Sequence, residues 1–235
     1  MPSIIVTHQS LVQNWLTPEQ IVNPRTLVLG SFNPYFDNGQ VVDYFYGRSS
    51  NYFWKTIAQI VGHDNEDYFL NNIQRKLEVM NNHFCCLDVI DSIEFTSENE
   101  LLLNDYIDSK VRANFLDQSI FVTKPRFEDR GNVLLRRTYN QTIINTLENS
   151  ESIEKVIHTM GNSRIDFQLT SPRERRLGVQ GFEGFINRIK TICSNRNIQF
   201  INQSYSPSAY AVRNGNTNIP EFVDFLREHL FLNHF

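Results

Sequence analysis

A chain of 235 residues that is 40% hydrophobic and 20% charged has the composition of an ordinary globular domain with enough apolar surface for a core. Its formal net charge of -4 excludes a protein that coats nucleic acid indiscriminately, although a basic groove remains compatible with an acidic total. Three cysteines without paired spacing exclude a four-thiolate iron–sulfur cluster from this chain alone, no apolar run reaches membrane-spanning length, and the first residues lack a basic segment followed by a long apolar run, so a cytoplasmic location is expected.

A short helical extension is expected at the amino terminus. Thr26-Leu27-Val28-Leu29-Gly30 follows Asn23-Pro24 and precedes a turn-rich segment, the pattern of a buried parallel strand. A helix is predicted over 51–61, capped by Ser49 or Ser50, with Trp54, Ile57, Ala58 and Val61 on one face and Gly62 at its end. Further helices are predicted at 66–79, 98–116, 135–147, 181–194 and 220–230, and further strands at 83–89, 155–160 and 197–202. Cys85 and Cys86 lie in an apolar run and read as small buried hydrophobes. His63, His158 and His229 fall at helix ends or strand interiors, and the six histidines show no metal-ligand spacing.

Alternating strands and helices imply a single α/β domain over 1–235: three layers, α/β/α, around a central, mostly parallel sheet of about four strands. Ligands bind such sheets beyond the carboxyl ends of the strands. The segments leaving those ends are 31–50, 90–97, 161–171 and 203–213, and every motif described next falls on one of them. A basic insert around 118–137 carries Lys124, Arg126, Arg130, Arg136 and Arg137 against Glu128 and Asp129, and in 161–180 Arg164, Arg173, Arg175 and Arg176 outnumber Asp166 and Glu174. These are either two arms of a nucleic-acid-facing rim or two solvated loops.

The first motif is Gly30-Ser31-Phe32-Asn33-Pro34, where glycine permits a sharp turn close to a ligand and Asn-Pro stiffens it. It resembles the opening motif of nucleotidyltransferases that join adenylate to a phosphate. The histidine which that family needs shortly afterwards is missing from Tyr35-Phe36-Asp37-Asn38-Gly39-Gln40, and Tyr210 stands where its second signature has threonine. The pentapeptide also resembles the uracil-DNA glycosylase superfamily, particularly its mismatch-specific branch and its relatives acting on deaminated purines. That resemblance continues at Tyr46-Gly47-Arg48-Ser49-Ser50-Asn51-Tyr52-Phe53-Trp54-Lys55, with an aromatic residue, an Asn and Phe-Trp-Lys in the expected order. Weaker echoes are Cys85-Cys86-Leu87-Asp88-Val89, Met160-Gly161-Asn162 and a closing loop, Ser206-Pro207-Ser208-Ala209-Tyr210. The chain departs from the pattern at Tyr35, where glycine is expected, at Gly47-Arg48, which puts a cation near the pocket, and at Ser206, where stronger members carry His.

The resemblance implies a monofunctional glycosylase that flips a damaged, deaminated or modified base out of DNA and hydrolyses its N-glycosidic bond. An unusual modified base, such as a modified cytosine of phage DNA, is an eligible substrate. Asn33 would orient the water, and Tyr46 would stack on the base. Gly30, Ser31, Phe32, Pro34, Tyr35, Arg48, Asn51, Asp88 and Asn162 would complete the pocket. Ser206, Pro207, Ser208, Arg213, Lys124 and Arg126 would meet DNA, and Tyr210 would wedge into the vacated stack. No lysine stands next to Asn33 for a Schiff base, and neither metal nor cofactor is implied. The partner is DNA, single- or double-stranded, with no membrane, and the chain is expected to be a monomer. The other readings are the nucleotidyltransferase and a glycosylase-like DNA-binding module without catalysis.

Overall fold

Strands buried on both faces read as unbroken apolar runs, and Thr26–Gly30 (β2) and Phe84–Asp88 (β3) are buried at every position. In the computed structural model, which describes residues 2–36, 41–107, 134–161 and 181–232, these two strands pair in parallel with Gly30 opposite Asp88. Lys155–His158 (β6) lies parallel on the other side of β2, and the short Gln199–Phe200 (β7) completes a four-stranded parallel sheet of order β3-β2-β6-β7. The expected α/β class with a parallel sheet of four strands is what the chain adopts.

Among the described residues the helices are Phe53–Ile60 (α1), Ile73–Met80 (α2), Glu100–Ile107 (α3), Gln141–Asn149 (α4), Phe182–Asn195 (α5), Ala209–Arg213 (α6) and Ile219–His229 (α7). Helix α1 packs against α7, and α4 against α5. Strand order reverses at β2: the chain leaves it toward β3, then passes back across it to β6. The switch point of the strand order therefore lies at β2 and β6, where a parallel sheet leaves a crevice beyond its carboxyl ends. Among the described residues no helix is long and apolar enough to cross a membrane.

A second, antiparallel sheet of order β1-β4-β5 was not anticipated. Ser3–Thr7 (β1) replaces the expected helical extension; only the short 3-10 turns at Gln9–Leu11 and Pro18–Gln20 are helical there. Ile90–Thr96 (β4), expected as a connection, follows β3 after the single residue Val89, burying Ile93 and Phe95 at strand spacing. Leu134–Tyr139 (β5) occupies the first part of the helix predicted over 135–147. Arg137 and Tyr139 alternate inward there, and α4 starts only where the Asn140 side chain accepts the Thr142 N–H. The β4–β5 register shifts between Ile90 and Ser92, a bulge at Asp91.

Other boundaries have local causes. Neither Ser49 nor Ser50 caps α1: Tyr52 holds the N-cap position without a side-chain cap bond, and Asn51 before it accepts the Phe53 N–H at 2.9 Å. Helix α2 starts at Ile73 because Asn72 accepts from the Arg75 N–H, leaving 66–72 in turns. The predicted helix over 98–116 is described as far as Ile107, and the rest lies outside the described residues with most of the basic insert.

The connection from 41 to 52, which walls the crevice, is pinned by buried polar groups. Trp15 Nε1 donates to the Val42 carbonyl at 3.0 Å and Trp54 Nε1 to the Phe45 carbonyl at 2.7 Å. The fully buried Lys76 reaches both carboxylate oxygens of Asp43 with its Nζ and lies over the Trp54 ring. Burial pulls the Lys76 ammonium below its ordinary range, and the Asp43 partnership opposes that pull. Asp43→Asn, which strands a buried ammonium, is expected to cost about 3 kcal/mol, whereas Lys76→Met is expected to stay within about 1 kcal/mol of the wild type. Urea unfolding of both variants measures the contrast.

Candidate active site

Beyond the carboxyl ends of β2, β3 and β6 lies a cavity of about 180 Å³, lined by Ser31, Phe32, Asn33, Tyr46, Gly47, Arg48, Asn51, Asp88, Thr159, Ser206, Pro207 and Ser208. Both halves of the front motif and the closing loop thus contribute to one wall.

Asn33 is presented on an extended segment strapped to β1. The Tyr35 N–H donates to the Thr7 carbonyl at 2.8 Å, the Gln9 N–H donates to the Asn33 carbonyl at 2.8 Å, and Pro34 forms an antiparallel bridge with His8. Pro34 and Tyr35, expected in the pocket, are spent on this pairing and are not among the lining residues. Arg48 Nη2 donates to Asn33 Oδ1 at 3.1 Å. A guanidinium only donates, so this contact fixes which end of the Asn33 amide is the oxygen. The cation that breaks the expected pattern therefore orients the amide that was expected to act.

Tyr46 takes the left-handed conformation, with φ of +58°, which is unfavourable for a residue with a Cβ. Its ring lies on Phe53 with centroids 4.4 Å apart, and its hydroxyl meets Thr159 Oγ1 at 2.9 Å. Gly30 does not line the cavity but leaves room beneath it. A Cβ there would come 2.0 Å from Asp88 Oδ1 and 2.8 Å from the Tyr46 hydroxyl.

Asp88 Oδ2 lies 2.7 Å from His8 Nε2, and both side chains are almost wholly buried. The Ser10 N–H donates to His8 Nδ1 at 3.0 Å, so Nδ1 carries no proton and Nε2–H donates to the carboxylate. Asn140 Nδ2 donates to the Asp88 carbonyl at 3.1 Å. Next along the chain, burial pushes the Asp91 carboxyl up to about 6, and the nearby Asp88 carboxylate adds to the shift.

The closing loop rests on α1, with the Tyr52 N–H donating to the Pro207 carbonyl at 2.8 Å. Ser206 donates to Ser208 at 3.1 Å, and Ser208 caps α6 by accepting the Ala211 N–H. Tyr210 and Arg213 stand on α6 outside the cavity wall; Tyr210 is 72% exposed and Arg213 is exposed. Asn162, Lys124 and Arg126 lie outside the described residues. Among the described residues no group of three or more His, Cys, Asp or Glu side chains could hold a metal.

Sequence reasoning missed His8 and Thr159. Thr159 had a signal, its place at the end of the third parallel strand. His8 had none, because its partner is 80 residues away. Comparison with protein-family models, with curated proteins and with solved structures finds no match.

Gly30→Ala is expected to push the Asp88 carboxylate off His8 and to cost about 2 kcal/mol, read by thermal unfolding. Asp91 has a folded pKa above its ordinary value of 3.8, so between about pH 4 and about pH 6 the folded state keeps a proton that the unfolded state has lost. Stability contributed by this group is therefore present at low pH and lost as pH rises through about 6. Asp91→Asn is expected to remove most of that loss, on the order of 1 kcal/mol after allowance for partial exposure, in urea unfolding at about pH 4 and about pH 7.

Proposed function

We propose that this protein is a monofunctional DNA glycosylase of the uracil-DNA glycosylase type, with a three-layer α/β/α fold, that flips a damaged, deaminated or modified base from DNA and hydrolyses its N-glycosidic bond. The observation that carries this reading is convergence: Asn33, Tyr46 with Arg48 and Asn51, and Ser206–Ser208, three chain segments singled out by one resemblance, line a single cavity at the switch point of a parallel sheet.

The chemistry asks for little more than placement. The C1′–N bond breaks toward a cationic sugar and an anionic base, so the enzyme must hold a water against the sugar and stabilise charge on the departing base. Asn33 Oδ1 keeps a second lone pair beyond the one that accepts from Arg48, enough to accept a hydrogen bond from that water. A neutral amide orients the water rather than deprotonating it, which fits modest turnover. The positive charge of Arg48, held within reach of the same cavity, favours a leaving base that becomes anionic. Tyr46, backed by Phe53, supplies an aromatic wall, and the Asp88 carboxylate, an acceptor only, complements an N–H on the edge of a base. Ser206 and Ser208 at the rim, exposed Tyr210 and Arg213 beyond it, and Lys124 and Arg126 are the groups assigned to the DNA backbone and the vacated stack.

The test is incubation with oligonucleotides carrying uracil, hypoxanthine, xanthine or modified cytosines, followed by alkali to reveal abasic sites. Asn33→Ala is expected to abolish release while DNA binding stays within a few-fold of the wild type. Release by this variant at the full rate would overturn the role given to Asn33.

A further inference from the structure

We propose that His8 is a positioning residue for the cavity, holding the Asp88 carboxylate in the one orientation that presents it to a bound base. This rests on the glycosylase reading, in which Asp88 is a wall of the base pocket.

Three chain segments converge on Asp88. His8 Nε2–H donates to Oδ2 at 2.7 Å, and Asn140 Nδ2 binds the Asp88 carbonyl at 3.1 Å. Gly30, opposite Asp88 in the β2–β3 register, leaves the space that Oδ1 occupies. The imidazole is itself fixed on every side. Ser10 holds Nδ1 through its N–H at 3.0 Å and its hydroxyl at 2.7 Å, and the His8 N–H donates to the Asp91 carbonyl at 2.7 Å. Phe45 stacks on the ring at 5.6 Å, and Trp15 meets it edge-on at 5.4 Å. Neither ring rotation nor exchange of the two nitrogens is open to it without breaking one of these contacts.

Stability does not account for the pair. Burying a carboxylate with an imidazole costs desolvation, and an apolar pair of similar size holds two sheets together at least as well. What the pair supplies and an apolar pair cannot is a fixed acceptor in a cavity wall, since the Asp88 side chain is only 8% exposed and yet lines the cavity. The same stretch of chain also grips Asn33, through the Gln9 N–H on its carbonyl at 2.8 Å and the His8–Pro34 bridge. The end of β1 thereby fixes both Asn33 and Asp88 relative to each other. Displacement of a reacting or recognising group by about 1 Å costs on the order of 100-fold in rate.

The experiment measures single-turnover base release by the full chain in a double-mutant cycle: wild type, His8→Leu, Asp88→Asn and His8→Leu/Asp88→Asn, with His8→Gln as the conservative variant whose amide places an N–H near the Nε2 position. Each variant is assayed below its own thermal transition. His8→Leu is expected to slow release roughly 10- to 100-fold, His8→Gln to recover most of that loss, and His8→Leu to add less than about two-fold once Asp88 is Asn. Equal losses in both backgrounds, or release by His8→Leu at the wild-type rate, would overturn the positioning role while leaving the glycosylase reading intact. If the wild-type chain releases no base from any oligonucleotide, the glycosylase reading fails and the positioning role fails with it.

Discussion

The cavity and its walls depend on how closely three segments of the chain can approach where β2 stops. Gly30 is the last residue of the central strand, with Asp88 beside it on β3 and Tyr46 above it, and there is no volume for a Cβ between them. Parallel pairing is what brings these residues into one plane, because strands running the same way release their loops at the same edge. Ser31–Asn33, Asp88 and Thr159 leave β2, β3 and β6 together, and the cavity is the space they surround.

Around that point the fold uses buried charge to position chain rather than to hold it together. Lys76 and Asp43 brace the connection that carries Tyr46 and Arg48, while His8 and Asp88 tie the antiparallel sheet to the wall of the cavity. Such pairs gain little stability over apolar packing, but they tolerate only one geometry, because a displaced partner leaves an unsatisfied charge or donor. Arg48 extends the same device to Asn33 across a 3.1 Å hydrogen bond. The left-handed backbone of Tyr46 is kept in place by its contacts on Phe53 and Thr159.

Legibility followed the range of the interactions. Strand β2 lay where its unbroken apolar run put it, and α5 and α7 fell within one or two residues of their predicted bounds, since both signals are local. The second sheet escaped because its strands carry weaker patterns. Leu134–Tyr139 reads Leu-Leu-Arg-Arg-Thr-Tyr, with no apolar–polar alternation to set against the helical period beginning at Gln141, and Ile90–Thr96 follows β3 without a turn residue between them. At the site, Asn33, Tyr46, Arg48 and Asn51 were legible through motif spacing. Pro34 and Tyr35 were misplaced because adjacency in the motif implied a shared wall, whereas the backbone of that segment pairs with β1 instead.

The sequence by itself determined the parallel α/β core, the strand ends on which ligand-facing residues must fall, and two short motifs behind the first strand and its helix. These depend on contacts within a few residues, which periodicity and turn chemistry record. Only the tertiary structure decided that His8 grips Asp88, that Arg48 orients Asn33, that Thr159 meets Tyr46 and that Gly30 must lack a side chain. Each of these joins residues 15 to 113 positions apart or turns on the space left between separate strands. Such a relation comes into being when the strands align, and nothing in the local order of residues encodes it.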